Sequence, residues 1–335
     1  MIRTLSKWRT NASVACLALA TALGAGPTQA AEPLTEITYL LPAPAGVIAF
    51  APFMLAQNKN YYAQQGLKVN FVTAKGGADV GKQLGAGNAP LGGALGDTPI
   101  ILRQNGIPVK GVALLGGQAL HQIMMRADAN IKSPADLKGK TFTVMSYQDT
   151  SFYATLAVLS QGGLKRDDTD VQAAGPVGIW QLVGTGKAIG MIGAPENGFM
   201  VEDGGVAMTY ESTGKYFPGM AQAIMASEKM IAEKPEIIQK FLNATLKAFA
   251  EVRDNPAQAT AEYVSFMPSY KGREKFVEQV LTYYAKNVYS GQERTGSFDP
   301  KRVSALQDFY LKEGIIRDRI DLNDLFTNQF IQVAK

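Results

Sequence analysis

Residues 67–72 alternate apolar and polar side chains, Leu67, Val69 and Phe71 against Lys68 and Asn70. A period of two is the signature of a strand with one buried face. The same reading makes strands of residues 37–41, the small-residue run 91–95, and the apolar run 109–115. Between them, residues 53–65, 76–84 and 98–105 carry helical spacing. Gly66 is placed to end the first of these helices, and Asp97 or Thr98 to cap the third. Past His121 the rhythm repeats on a smaller scale. Strands are expected at 122–126 and 141–145, a capped short helix at 133–137, a helix at 150–160, and a closing strand at 221–226. The remainder is helical: 235–253, 256–266, 273–286 and 300–311. In the first of these, Ile237, Ile238, Phe241, Leu242, Ala244, Leu246 and Phe249 form one apolar face. Strands separated by helices predict an α/β protein built from right-handed βαβ units with mostly parallel sheets.

The N-terminus follows another pattern. Arg3, Lys7 and Arg9 precede an apolar run of about a dozen residues and the sequence Thr28-Gln29-Ala30. That order predicts a secretory signal peptide over residues 1–30, too short in its apolar part to span a bilayer. The expected location is therefore the periplasm. Removing this segment changes the charge. The whole chain has 33 Lys+Arg against 29 Asp+Glu, and the leader holds three of the bases and no acid. The mature chain is nearly neutral, so charge offers no case for nucleic acid. The one cysteine, Cys16, lies in the leader, which excludes disulfides and thiolate metal sites from the rest.

Catalytic patterns are sparse. His121 is the only histidine, so no histidine-pair metal site forms, and neither a metal nor a cofactor is expected. Gly139-Lys140-Thr141 lacks the glycine a phosphate-binding loop needs five residues earlier, where Pro134 stands. Gly184, Gly186 and Gly190 miss the dinucleotide spacing by one residue. Tyr283, Tyr284 and Tyr289 read as a helix face and its end.

The segments 60–69 (Asn-Tyr-Tyr-Ala-Gln-Gln-Gly-Leu-Lys-Val) and 133–140 (Ser-Pro-Ala-Asp-Leu-Lys-Gly-Lys) resemble periplasmic solute-binding proteins. So do 84–90, 106–109 and Lys234-Pro235-Glu236, in that order. The group resembled includes binding proteins for alkanesulfonates, nitrate and thiamine precursors. The resemblance implies a two-lobed periplasmic binding protein type II fold joined by two crossover strands. Lobe one would be 32–123 plus 222–335, and lobe two 124–221. It implies hinge closure on a solute, a membrane permease of an ABC importer as partner, and a monomer. A yeast relative of the group is a synthase that uses a cysteine-rich motif and several histidines, which this chain lacks; a binding protein, not an enzyme, is expected.

In open α/β sheets ligands sit beyond the carboxyl ends of strands. Four loops there supply the candidates. Residues 42–50 offer Ala45 and Phe50. Asp97 and Thr98 start a helix, where free N–H groups accept polar ligands; Asp97 either caps that helix or meets the ligand. Ser146, Tyr147, Asp149, Thr150 and Ser151 form the third, with capping as the competing role. Glu196 and Asn197 form the fourth, with Trp180 as an aromatic wall or a core residue. These loops hold three carboxylates and no Lys or Arg. Such a set favours an amine-bearing or heteroaromatic solute, such as a thiamine pyrimidine precursor. An alkanesulfonate, nitrate or other small anion is the alternative, and an enzyme on the same scaffold the rival of another class.

Overall fold

The computed structural model describes residues 33–331. The expected signal peptide lies outside the described residues. No helix among the described residues is long and apolar enough to cross a membrane.

Ten strands form two five-stranded sheets. The first sheet holds β1 (Thr35–Leu41), β2 (Leu67–Thr73), β3 (Leu91–Leu95), β4 (Val109–Leu115) and β10 (Gln222–Ser227), in the order β2-β1-β3-β10-β4. The second holds β5 (Gln122–Arg126), β6 (Thr141–Val144), β7 (Asp170–Ala173), β8 (Gly190–Gly193) and β9 (Met208–Ser212), in the order β7-β6-β8-β5-β9. Between the first strands lie helices α1 (Ala51–Asn58), α2 (Tyr61–Gln64), α3 (Gly77–Gly85) and α4 (Thr98–Gln104). Helices α5 (Thr150–Gln161), α6 (Gly175–Gly184) and α7 (Pro195–Asp203) belong to the second sheet. After β10 come α8 (Glu228–Glu233), α9 (Pro235–Asp254), α10 (Pro256–Phe266), α11 (Glu274–Asn287), α12 (Pro300–Lys312) and α13 (Leu322–Leu325).

Both sheets are mostly parallel, as expected, each with one antiparallel strand. Four strands of each sheet run one way, but β10 is inserted antiparallel between β3 and β4, and β5 antiparallel between β8 and β9. The cause is connectivity. The chain leaves β4 at its carboxyl end, Leu115, and enters the second sheet as β5 at Gln122. It leaves β9 at Ser212 and returns as β10 at Gln222. Each returning strand starts where its new neighbours end. Gln122 pairs with Gly193 and Ser212, and Gln222 with Leu95 and Leu115. The carboxyl ends of both sheets therefore face the two crossovers.

One expected helix, 53–65, is two. Asn60 takes a left-handed conformation, φ 58°, which separates α1 from α2. A short polar side chain tolerates that region. Gly66 then stops α2 at φ 75°, as expected.

The helix α9 docks its apolar face on the first sheet. Phe241 is fully buried, its ring 4.9 Å from Tyr39 and 5.1 Å from Tyr62, stacked between them. Phe53 closes on Tyr39 at 5.0 Å. Leu246, expected on this face, instead sits partly buried over Gly296. Aromatic rings of this size dominate core energetics. Phe241→Ala should destabilise the protein by about 3–5 kcal/mol, read from urea unfolding; a loss under about 1 kcal/mol would show that this stack does not anchor α9.

Candidate functional site

The loops that follow β1, β3, β6 and β8 all open toward the crossovers, because the carboxyl ends of both sheets point there. Two carboxylates bridge from one sheet's side to the other's.

Asp97 is 1% exposed. It stands at the N-cap position of α4, yet its side chain makes no capping bond, contrary to the simpler expectation. Instead Oδ2 accepts from Thr150 Oγ1 of α5 at 2.7 Å, and from the Tyr310 hydroxyl of α12. Oδ1 has no protein partner. Burial pushes this carboxyl above the usual range, against the pull of its two hydroxyl donors and of His121. His121 in turn is held below its ordinary value by burial, opposed by Asp149 and Asp97. Thr150 reaches Asp97 because its own helix is capped by others. Asp149 accepts from the Ser151 amide at 2.9 Å, and Ser151 Oγ accepts from the Met145 amide at 3.1 Å.

Glu196, in the first turn of α7, forms the second bridge. Its Oε2 accepts from the Tyr284 hydroxyl of α11 at 2.7 Å. Burial raises its pKa, with Tyr284 pulling the other way. Tyr263, Tyr270 and Tyr289 also feel this charge, which adds to the burial that holds their phenols neutral. Tyr270 and Tyr263 donate to the Gly46 carbonyl at 2.8 and 3.3 Å, pinning the loop after β1 beside Glu196.

Among the described residues, four polar atoms at this junction are buried without a protein partner: Tyr39 Oη, Asp97 Oδ1, His121 Nδ1 and Gln222 Nε2. Buried polar atoms are nearly always hydrogen-bonded, so these stand out as groups whose partner would be a water or a solute. Gly93 makes room for two of them. A Cβ there would fall 2.9 Å from the Tyr39 hydroxyl and 3.4 Å from Gln222 Nε2.

The other expected site residues divide. Ala45 and Ser146 are partly buried in loops at the junction. Thr98 opens α4 and turns toward α3, its Oγ1 3.5 Å from where a Cβ on Gly77 would sit. Asn197 lies over Gly193. Phe50 is 4% exposed and packs edge-on to Phe53, so it is a core ring. Tyr147 is a correction. It is 41% exposed, its hydroxyl donates to the Val171 carbonyl, and Arg166 stacks over its ring at 5.3 Å, which turns it to the outer edge at β7. Trp180 packs on the small core of Met124, Ile179 and Val183. His121 lies at the junction, and its Nδ1 has no protein partner. Tyr39, Gln222, Tyr284 and Tyr310 were not anticipated. Gln222 alone carried a signal, as a polar residue opening an apolar strand. Two cavities, of about 790 and 480 Å³, lie elsewhere, one beside Lys110 and Phe326 and one along α9 and α10. Neither is lined by any residue of the junction.

Residues 48–259 match the family described as NMT1/THI5 like. Among curated relatives, the riboflavin-binding protein RibY of Chloroflexus aurantiacus is 27% identical over 320 residues, 92% of this chain and 89% of its own length. The formylaminopyrimidine-binding protein of Halalkalibacterium halodurans is 25% identical, covering 61% of this chain and 63% of that one. Among solved structures, the alkanesulfonate-binding protein SsuA of Xanthomonas axonopodis pv. citri, bound to MOPS, superposes with a TM-score of 0.70 at 17% identity. That match covers 89% of this chain and 100% of the other. It establishes the periplasmic binding protein fold.

The raised pKa of Asp97 has a pH consequence. Stability associated with its neutral form is complete below the unfolded carboxyl value and is lost as pH rises through the raised folded value. Asp97→Asn keeps an acceptor for Thr150 and Tyr310 but cannot ionise. The variant should therefore gain on the wild type in urea-unfolding stability between pH 4 and pH 7. A difference that stays flat, or shrinks, across that range would show that burial does not govern this carboxyl.

Proposed function

The chain belongs to the NMT1/THI5-like family, and we propose that it is the solute-binding component of an ABC-type importer, exported to the periplasm by the segment 1–30. Its solute is a small nitrogen heterocycle or amine, held at the junction of the two sheets. The observation that carries this reading is the set of buried, unpartnered polar atoms on Tyr39, Asp97, His121 and Gln222. They combine a carboxylate oxygen, an amide donor, a hydroxyl and an imidazole nitrogen. A ring with both N–H donors and acceptors at its edge satisfies such a set. An anion fits less well. Where Asp97 is ionised, a unit negative charge about 4 Å away is opposed by about 4 kcal/mol at an effective dielectric of 20. The names of the two binding-protein relatives, riboflavin and a formylaminopyrimidine, are both of nitrogen heterocycles. The sulfonate-binding neighbour speaks for the fold only.

The bridges Asp97–Thr150 and Glu196–Tyr284 span from one sheet's side to the other's. In the proposed lobes, 32–123 with 222–335 and 124–221, both bridges form on closure. A solute that binds the closed arrangement more tightly shifts the population toward it. The permease would read that closed shape. The protein is read as a binding protein, in line with the relatives named as riboflavin-binding and formylaminopyrimidine-binding.

A thermal-shift screen with pyrimidines, flavins, amines, alkanesulfonates and nitrate tests the solute class. A ligand at 100 times its Kd adds about 2.7 kcal/mol of stability. Hits confined to heterocycles or amines are expected; hits confined to sulfonates or nitrate would overturn the class and keep the binding role. The unpartnered amide gives a sharper test. Gln222→Met removes a buried donor that lacks a partner in the free protein, so the ligand-free variant should be about 1 kcal/mol more stable. Its affinity for the screened ligand should fall about 5- to 150-fold, the equivalent of about 1–3 kcal/mol. Affinity unchanged in calorimetry would remove Gln222 from the site.

A further inference from the structure

Among the described residues, the two crossovers, 116–121 and 213–221, are the only chain connections between the sheets, and one side chain binds to both. Arg302, in the first turn of α12, donates from Nη1 to the Gly117 carbonyl at 2.6 Å. Its Nε and Nη2 both donate to the Gly219 carbonyl, Nε at 2.9 Å. Gly117 lies in the first crossover and Gly219 in the second. Among the described residues no carboxylate lies within ion-pair distance of Arg302; Asp299 acts on it only from farther off. A guanidinium held by backbone carbonyls alone is positioned by its planar fork, which matches two acceptors at once.

The surroundings give the clamp something rigid to act from. The Gly117 amide donates to the Ser290 carbonyl at 3.0 Å, and a Cβ at Gly117 would meet the Gly291 backbone at 2.4 Å. The first crossover is thus pressed against the loop after α11. The second is tied to the first by Thr213, whose Oγ1 donates to the His121 carbonyl at 2.8 Å, and by the Leu120 amide on the Met220 carbonyl at 3.2 Å. Farther along α12, Phe309 packs edge-on to Phe217 of the second crossover at 5.1 Å.

We propose that Arg302 is a positioning residue that couples the two crossovers, so that they bend as one hinge and the two sheets move along a single path. It touches no candidate ligand atom and acts through Gly117 and Gly219. This rests on the reading that the two halves move relative to each other, but its test does not need a ligand.

The test is a spin-label distance measurement on the full chain. In a Cys16→Ser background, which removes the chain's one cysteine, labels are placed at Lys82→Cys on α3 and Gln181→Cys on α6. Both positions are exposed and sit on opposite sheets. A control pair, Lys82→Cys with Ala257→Cys, stays on the first sheet's side. Without ligand, Arg302→Met should at least double the width of the cross-sheet distance distribution and leave the control pair unchanged. Arg302→Lys, which keeps the charge and loses the fork, should broaden it less. A cross-sheet width equal to wild type in folded Arg302→Met overturns the proposal, as does equal broadening of both pairs. Should Arg302→Met fail to fold, Arg302→Lys is decisive: cross-sheet broadening supports the clamp and wild-type width overturns it. Failure of the closure reading shows separately, as a wild-type distance that does not change on adding a ligand from the thermal-shift screen.

Discussion

A chain that leaves one sheet at the carboxyl end of a strand and enters a second sheet within a few residues has no room to turn around. It must run against its new neighbours. That constraint acts twice here, at β5 and at β10, and the rest of the architecture follows from it. It inserts one antiparallel strand into each sheet. It also aims every carboxyl-end loop of both sheets at the same junction, with two crossovers running through it. The site is thus a product of connectivity before any side chain is considered.

Side chains then decide what the junction holds. The small residues of β3 let the large ring of Tyr39 lie across the strand, with its hydroxyl at the junction and its ring in the stack on Phe241. One residue thereby belongs to the core and to the site. The same economy appears in Tyr310, whose ring packs with Phe217 and Tyr153 while its hydroxyl meets Asp97. Carboxylates at the junction are held by hydroxyl donors and not by cations. Hydroxyl partners solvate a buried carboxylate without neutralising it, so burial keeps the pKa of both Asp97 and Glu196 high.

Such an arrangement costs stability in the free protein and, under the proposed function, leaves groups for a solute to meet. A buried polar atom with no partner costs the free protein about 1–3 kcal/mol, which a correctly shaped ligand recovers on binding. Proteins retain such costs where function needs them, and place them where the scaffold is stiff. The stiffness here comes from the stack of Tyr39, Phe241 and Tyr62 beneath the site, and from the helical C-terminal region braced against both crossovers.

Much of this was legible in the residue pattern. Alternation at 67–72 and the helical spacing of 235–253 named their elements, because each period reflects one buried face. The order of the elements gave α/β class, and the small-residue run at 91–95 read as a strand. Asp97, Thr150 and Glu196 could be placed in the loops beyond the carboxyl ends of β3, β6 and β8, because element order alone sets where those ends fall. What lay beyond the sequence was everything that depends on partners far along the chain. Tyr39 looked like any core residue of a strand, since alternation tells which face is buried but not what the end of the side chain meets. Tyr284 and Tyr310 looked like helix-face aromatics, because the period of a helix is silent about which neighbour covers it. Tyr147 stood in the right loop and turned outward, drawn by Val171 and Arg166. Local periodicity records burial; only the tertiary fold, through contacts 53, 88 and 213 residues apart at Asp97–Thr150, Glu196–Tyr284 and Asp97–Tyr310, decided which buried groups meet.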